Sequence, residues 1–110
     1  MRWFFPRDGS ADGRRQADSG PPPGENTLAW SLNDGVQGPL LWCGMNAYSR
    51  AVHFDLPLCP SGWLRVIDTA LPAGEDLPST PHPWTPRGAP LESRSLMLLA
   101  SSRLFKNVQL

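Results

Sequence analysis

The sequence predicts an all-β fold, a small antiparallel Greek-key sandwich of about five to seven strands. Thirteen Pro and ten Gly among 110 residues disfavour long helices, since a proline inside a helix costs about 3 kcal/mol. Short apolar runs, alternating or continuous, are typical of strands. Turn residues separate these runs at intervals of about eight to twelve residues, as in sandwiches and barrels. The length allows one small domain.

Composition and charge restrict the function. Ten basic and ten acidic residues give a net charge of 0, which removes the electrostatic basis for binding nucleic acid or an anionic membrane. The N-terminal residues lack the apolar core of a signal peptide, so we expect a cytoplasmic protein. Cys43 and Cys59 are too few for a disulfide framework and are expected to be thiols.

Three regions are expected along the chain. Residues 1–26 form a short N-terminal segment and a flexible linker, because residues 9–26 are rich in Gly, Pro and polar side chains and contain three consecutive prolines. Residues 27–100 form the all-β domain. Residues 101–110 are a tail to which no structure is assigned.

The first half of the domain is predicted to hold two strands. Residues 27–32 alternate, and Leu28, Trp30 and Leu32 share the face that we expect to be buried. A turn at Asn33-Asp34-Gly35 follows. Residues 40–45 are continuously apolar, which predicts a strand buried on both faces.

The second half continues with strands separated by proline. Residues 51–56 alternate, with Phe54 inward and His53 outward, and residues 63–67 form the next strand. Residues 72–90 carry six prolines and are predicted to be a rigid loop. Residues 92–100 close the domain as a buried strand.

Acidic residues are candidates for catalysis, because glycoside hydrolysis needs two carboxyl groups roughly 5 to 9.5 Å apart. Asp68, Glu75 and Asp76 are the best candidates. Asp68 ends a strand, and Asp commonly caps the backbone of a following turn. We therefore expect Asp68 to cap a turn and the other two to be solvated.

No other catalytic, metal or cofactor motif is found. A triad can be written from Ser49, His53 and Asp55, but the G-x-S-x-G elbow is absent. Phosphate-binding glycine motifs are also absent. The side chains that could ligate a metal lack the close-paired spacing of zinc sites; they are Cys43, His53, Cys59 and His82. No catalytic residue, metal or cofactor is therefore expected.

Five tryptophans are the one compositional excess. An indole can stack on a sugar ring or fill a core. Trp30, Trp42 and Trp63 lie on predicted strands and are expected in the core. Trp84 lies in the proline-rich loop, where burial and sugar stacking both remain open.

Three segments resemble one family in order and spacing. Residues 40–57 (LLWCGMNAYSRAVHFDLP) contain an apolar strand, Asn-Ala-Tyr, a turn, a second apolar strand and Leu-Pro. Residues 63–78 (WLRVIDTALPAGEDLP) and residues 91–99 (LESRSLMLL) follow. Together they resemble the C-terminal β-sandwich domain of isoamylase-type glycogen debranching enzymes.

The resemblance implies an accessory role. In that family the domain follows a catalytic (β/α)₈ barrel, and the full enzymes hydrolyse α-1,6 branches in glycogen. No part of this chain resembles the barrel, so no catalytic residue is carried over. The expectation is a non-catalytic accessory domain, separated from its enzyme. The alternatives are a free-standing carbohydrate-binding module and the structural partner of a separately encoded barrel.

The resemblance also implies partners. A domain that docks on a barrel keeps an apolar docking face, which would be exposed in this chain alone. The partners expected are a catalytic barrel or an α-glucan, with self-association as a further option, and neither nucleic acid nor a membrane. If the chain binds carbohydrate, Trp84 is the expected stacking residue, with Tyr48 beside it.

Overall fold

The described residues of this computed structural model are 1–4, 16–17, 27–33 and 38–105. They form nine strands and one short 3₁₀ helix. The strands are β1 (Arg2–Phe4), β2 (Gln16–Ala17), β3 (Thr27–Asn33), β4 (Pro39–Asn46), β5 (Val52–Asp55), β6 (Trp63–Asp68), β7 (His82–Trp84), β8 (Gly88–Leu91) and β9 (Ser95–Ser101), and the 3₁₀ helix is Ser102–Leu104. The predicted all-β class is confirmed.

All pairings between these strands are antiparallel. One sheet has seven strands in the order β2-β1-β3-β4-β9-β6-β7, and the other consists of β5 and β8. The last strand, β9, lies between β4 and β6. Such a long-range return is typical of Greek-key folds.

The core lies between the larger sheet and the β5-β8 pair. Trp42 of β4 meets Phe54 of β5 edge to face, with ring centroids 5.7 Å apart. Both side chains are fully buried. The buried cluster comprises Phe4, Ala29, Trp42, Phe54, Trp63, Ala89, Leu91, Met97 and Leu99. We call the side of the larger sheet that faces this core its inner face.

The predicted face of β3 is wrong. Ala29 and Ser31 are fully buried on the inner face, whereas Leu28 and Trp30 are only half-buried and Leu32 is 38% exposed on the other side. Trp30 is therefore not a core residue. The cause lies on the neighbouring strand, because the large indole of Trp42 fills the inner face there and its neighbours must be small. Alternation gives the two faces of a strand but not which one is covered.

The predicted loop at residues 72–90 is also wrong in part, because it contains β7 and β8. Both strands include a proline, Pro83 and Pro90, which cannot donate to a ladder. Each strand pairs on one side only, β7 with β6 and β8 with β5. Edge strands tolerate proline. The strand predicted from residue 92 begins at Ser95 instead, after a turn in which Arg94 has a φ of 52°.

The N-terminal segment takes part in the larger sheet. β1 pairs with β3, placing Trp3 opposite Trp30, and residues 16–17 pair with the other edge of β1. The rest of the predicted linker, together with the turn at residues 34–35, lies outside the described residues. At the C-terminus, Ser101 ends β9 and accepts a hydrogen bond from the Arg103 backbone at the start of the 3₁₀ helix.

Asn46 ties the two sheets together. Its side-chain nitrogen donates to the carbonyl oxygens of Arg50 (2.8 Å), Leu91 (3.2 Å) and Glu92 (3.0 Å), and its Oδ1 accepts from the backbone nitrogen of Tyr48 (2.9 Å). Asn46 is 1% exposed. One amide thus joins the end of β4, the β4–β5 turn and the end of β8. A buried amide with all its partners satisfied rigidifies such a junction.

Asn46→Asp tests this junction. The carboxylate would face three carbonyl oxygens away from water, which raises its pKa above the unfolded value of about 3.9. Because the folded pKa is raised, stability is lost as pH rises above about 4 and is partly recovered below it. We expect a loss of about 3 kcal/mol or more in the free energy of unfolding at pH 7.

Urea denaturation at pH 7 and at pH 3.5, the values chosen to bracket that pKa, measures the effect. The control is Asn33→Asp, an exposed position where a side-chain oxygen can still accept from Ser31. The control should change stability by less than about 0.5 kcal/mol. Equal losses at both positions would contradict the assigned role of Asn46.

Gly44→Ala tests the packing of the inner face. A Cβ at Gly44 would overlap Cη2 and Cζ3 of Trp42. We expect a loss of about 2 kcal/mol in the free energy of unfolding, as for an overpacked core. Phenylalanine lacks the outer ring of the indole, so the same change should cost much less in a Trp42→Phe background. A double-mutant cycle by urea denaturation measures this coupling, and additive costs would contradict the packing described.

Candidate functional site

The side of the larger sheet opposite the core is a continuous apolar surface, which we call the outer face. Strand register defines a row of side chains on β1, β3, β4, β9 and β6. Directly paired residues run across these strands in the order Trp3, Trp30, Cys43, Leu98 and Ile67. The row spans about 19 Å at the usual strand spacing of about 4.8 Å.

Two further rows flank this one on the same face. The first consists of Leu28, Met45 and Leu96, and the second of Leu32, Leu41, Ala100 and Leu64. None of these side chains carries a charge. Solvated sheet faces normally alternate polar residues with the apolar ones of the core. The outer face does not, so the larger sheet is apolar on both sides.

Exposure varies across the outer face. Cys43 and Ala100 are buried at its centre, most of the other side chains are half-buried, and Leu32 is 38% exposed. Burial raises the pKa of the Cys43 thiol above its ordinary value. Cys43 is thus buried on the outer face and is not part of the core cluster.

A cleft of about 760 Å³ lies at the β6-β7 edge of the larger sheet. It separates the β5–β6 connection from the β7–β8 turn. Its lining residues are Asp55, Leu56, Pro57, Leu58, Cys59, Gly62, Trp63, Trp84, Thr85, Pro86 and Arg87. Volumes of about 300–1,000 Å³ are typical of small-molecule sites.

Trp84 has a role in both the core and this cleft. It is half-buried, packs against the core cluster, and its Nε1 donates to the carbonyl of Gly88 (3.2 Å). The guanidinium carbon of Arg65 lies 5.6 Å from the ring centroid, a cation–π distance. Arg65 is not among the lining residues of the cleft. Trp84 is thus held by the core while part of it lines the cleft.

Tyr48 lies far from Trp84. Trp84 pairs with Trp63, which pairs with Ser101 at one end of β9, whereas Tyr48 follows the strand whose end pairs with Ser95 at the other end. These ends are about 20 Å apart along β9. The Tyr48 ring is instead covered by Arg50, whose guanidinium carbon is 5.3 Å from its centroid. The structure does not bring the two predicted sugar-binding residues together.

Two of the three candidate carboxylates, those of Asp68 and Asp76, accept hydrogen bonds from backbone nitrogens. Oδ1 of Asp68 accepts from the nitrogen of Ala70 (3.1 Å), which confirms the predicted turn cap. Asp76, which was expected to be solvated, is half-buried and accepts from the nitrogen of Gly74 (3.1 Å) in the next turn. Glu75 is exposed, as expected.

Within residues 1–4, 27–33 and 38–105, no group of three or more His, Cys, Asp or Glu side chains could hold a metal ion. No helix in the described part of the chain is long and apolar enough to cross a membrane.

Comparisons with protein-family models, with curated proteins and with solved structures found nothing that matches this chain. The outer face and the cleft are therefore the observations from which a function can be argued.

The thiols provide a probe of the outer face. Cys59 is half-buried beside the carbonyl of Gly62 (3.5 Å), whereas Cys43 is buried and its pKa is raised. Because the thiolate is the reactive form, we expect Cys59 to react at least about tenfold faster than Cys43 with a neutral alkylating reagent. Mass spectrometry of digested protein measures both rates, and denaturant should equalise them. A faster Cys43 in the folded chain would contradict this placement.

Proposed function

We propose that the chain is a non-catalytic accessory β-sandwich module of the isoamylase type, which packs its outer face against a catalytic (β/α)₈ barrel. The proposal depends mainly on the apolar outer face. Trp3, Trp30 and Leu98 form part of a surface that crosses five strands without a charge. Contiguous apolar surfaces of this kind mark sites of protein association.

The extent of the outer face favours a protein partner over a small ligand. The outer face extends over five strands, whereas concave sites are typical of small ligands. Burying apolar area is worth about 25 cal/mol per Å². A partner with apolar helices could cover the three rows at once, as helices cover the faces of sheets in α/β proteins.

The residues that carry the family resemblance support the same proposal. Residues 40–57 contain most of β4 and all of β5, residues 63–78 contain β6, and residues 91–99 contain most of β9. These strands adjoin one another or face each other across the core. The Asn of the Asn-Ala-Tyr motif is Asn46, the buried residue that joins the two sheets. The motif thus coincides with a structural requirement of this sandwich.

An accessory role also fits the hydrogen bonds that the acidic side chains make. Asp68 and Asp76 are engaged in turns of the chain itself. Hydrolysis of an α-1,6 linkage needs a carboxyl pair across a substrate cleft. In our proposal the barrel supplies that pair, and this module stabilises the barrel by covering its apolar surface.

Binding to a barrel tests the proposal. We expect the purified chain to form a one-to-one complex with an isoamylase-type barrel from which the C-terminal domain has been removed. Leu32→Glu should weaken the complex by about tenfold or more, because it places a charge in the outer face. Isothermal titration calorimetry measures the affinity, and size-exclusion chromatography with light scattering measures the stoichiometry.

The matched control is Leu77→Glu, which adds the same charge at an exposed leucine outside the outer face. The control should bind the barrel like the wild type. Absence of a complex, or equal affinity for the two variants, would overturn the proposed docking. Release of reducing ends from glycogen by the chain alone would contradict its non-catalytic role.

A further inference from the structure

We infer that the cleft between residues 55–63 and 84–87 binds a neutral sugar chain, with a hexose ring against the indole of Trp84. That the sugar is an α-glucan rests on the proposed function. That it is a neutral polyhydroxylated ring rests on the cleft itself. The surface involved is separate from the outer face, so this module would use one surface for a protein and another for a glucan.

The charges of the cleft favour an uncharged ligand. Its lining contains one acid, Asp55, and one base, Arg87, so their formal charges cancel. A cleft for an anion or a cation would carry an excess of the opposite charge. Arg87 is exposed, and its guanidinium supplies fixed donors for hydroxyl groups. Sugar hydroxyl oxygens can accept hydrogen bonds from these donors.

Trp63 is buried in the core, so Trp84 alone offers apolar indole surface to the cleft, on the part of its ring that Arg65 does not cover. Nε1 of Trp63 donates to the carbonyl of Pro57 (3.2 Å), and Nε1 of Trp84 donates to that of Gly88. A proline-rich peptide is the main competing ligand for an aromatic cleft. Both indole donors are already engaged within the chain, so neither is available for a peptide carbonyl. Stacking needs no donor, and the apolar face of a sugar ring suits it.

Backbone hydrogen bonds hold both walls of the cleft in place. The nitrogen of Leu56 donates to the carbonyl of Arg87 (3.0 Å), which joins the two walls. The nitrogen of Gly62 donates to the carbonyl of Cys59 (2.9 Å), which closes the turn before β6. Walls held in this way reduce the ordering cost of binding. Its volume of about 760 Å³ lies within the range of small-molecule sites and accommodates a short oligosaccharide.

Affinity electrophoresis in glycogen and titration with maltoheptaose test the inference. We expect glycogen to retard the chain and maltoheptaose to shift the indole NMR signal of Trp84. Trp84→Ala and Arg87→Ala should each raise the dissociation constant by about tenfold. Arg87 is exposed, so its variant keeps the test valid if Trp84→Ala fails to fold. The matched control is Arg50→Ala, an exposed arginine at the opposite end of the sheet, which should bind glycogen like the wild type.

Three results would overturn the inference. They are unretarded migration of the folded wild type, equal binding by Arg87→Ala and Arg50→Ala, and binding of a polyproline peptide without binding of maltoheptaose.

Failure of this inference is distinguishable from failure of the docking proposal. If Leu32→Glu loses barrel binding but still binds glycogen, the change affects the outer face only. If Arg87→Ala loses glycogen binding but still binds the barrel, the change affects the cleft only.

Discussion

The central constraint in this protein is a sheet that is apolar on both faces. β4 and β9 lie at its centre, and residue by residue they alternate between the core and the outer face. Trp42 and Leu99 point to a core closed by two short strands, whereas their neighbours Cys43 and Leu98 belong to the outer face. The apolar side chains of the inner face are covered by the β5-β8 pair of the same chain. Those of the outer face are the physical reason for proposing a protein partner.

The β5-β8 pair depends on few interactions, since two strands are marginal by themselves. Phe54 anchors the pair in the core, and Asn46 binds the carbonyl of Leu91 at its end. The same pair leads into both walls of the cleft, because Asp55 precedes the β5–β6 connection and Gly88 follows the β7–β8 turn. Core, inter-sheet junction and proposed sugar site are therefore parts of one arrangement.

The sequence predicted the class and the longer strands because alternation and continuous apolar runs are local signals. The prediction was wrong where contacts between residues distant in sequence determine the structure. The face of β3 depended on the size of Trp42 on the next strand, and β7 and β8 depended on having one free edge that tolerates Pro83 and Pro90. Trp84 could be singled out by its setting, but Asp55 and Arg87 are distant in sequence, and nothing in the sequence indicates that they line one cleft.

Oxidation of the methionines tests the central claim most directly. Met45 is half-buried on the outer face, and Met97 is 2% exposed in the core. Under limiting peroxide, with peptide mapping of each site, Met45 of the isolated chain should oxidise faster than Met97. Addition of an isoamylase-type barrel should slow Met45 and leave Met97 unchanged. Equal rates in the isolated chain, or a Met45 rate that the barrel does not alter, would contradict an outer face that serves as an interface.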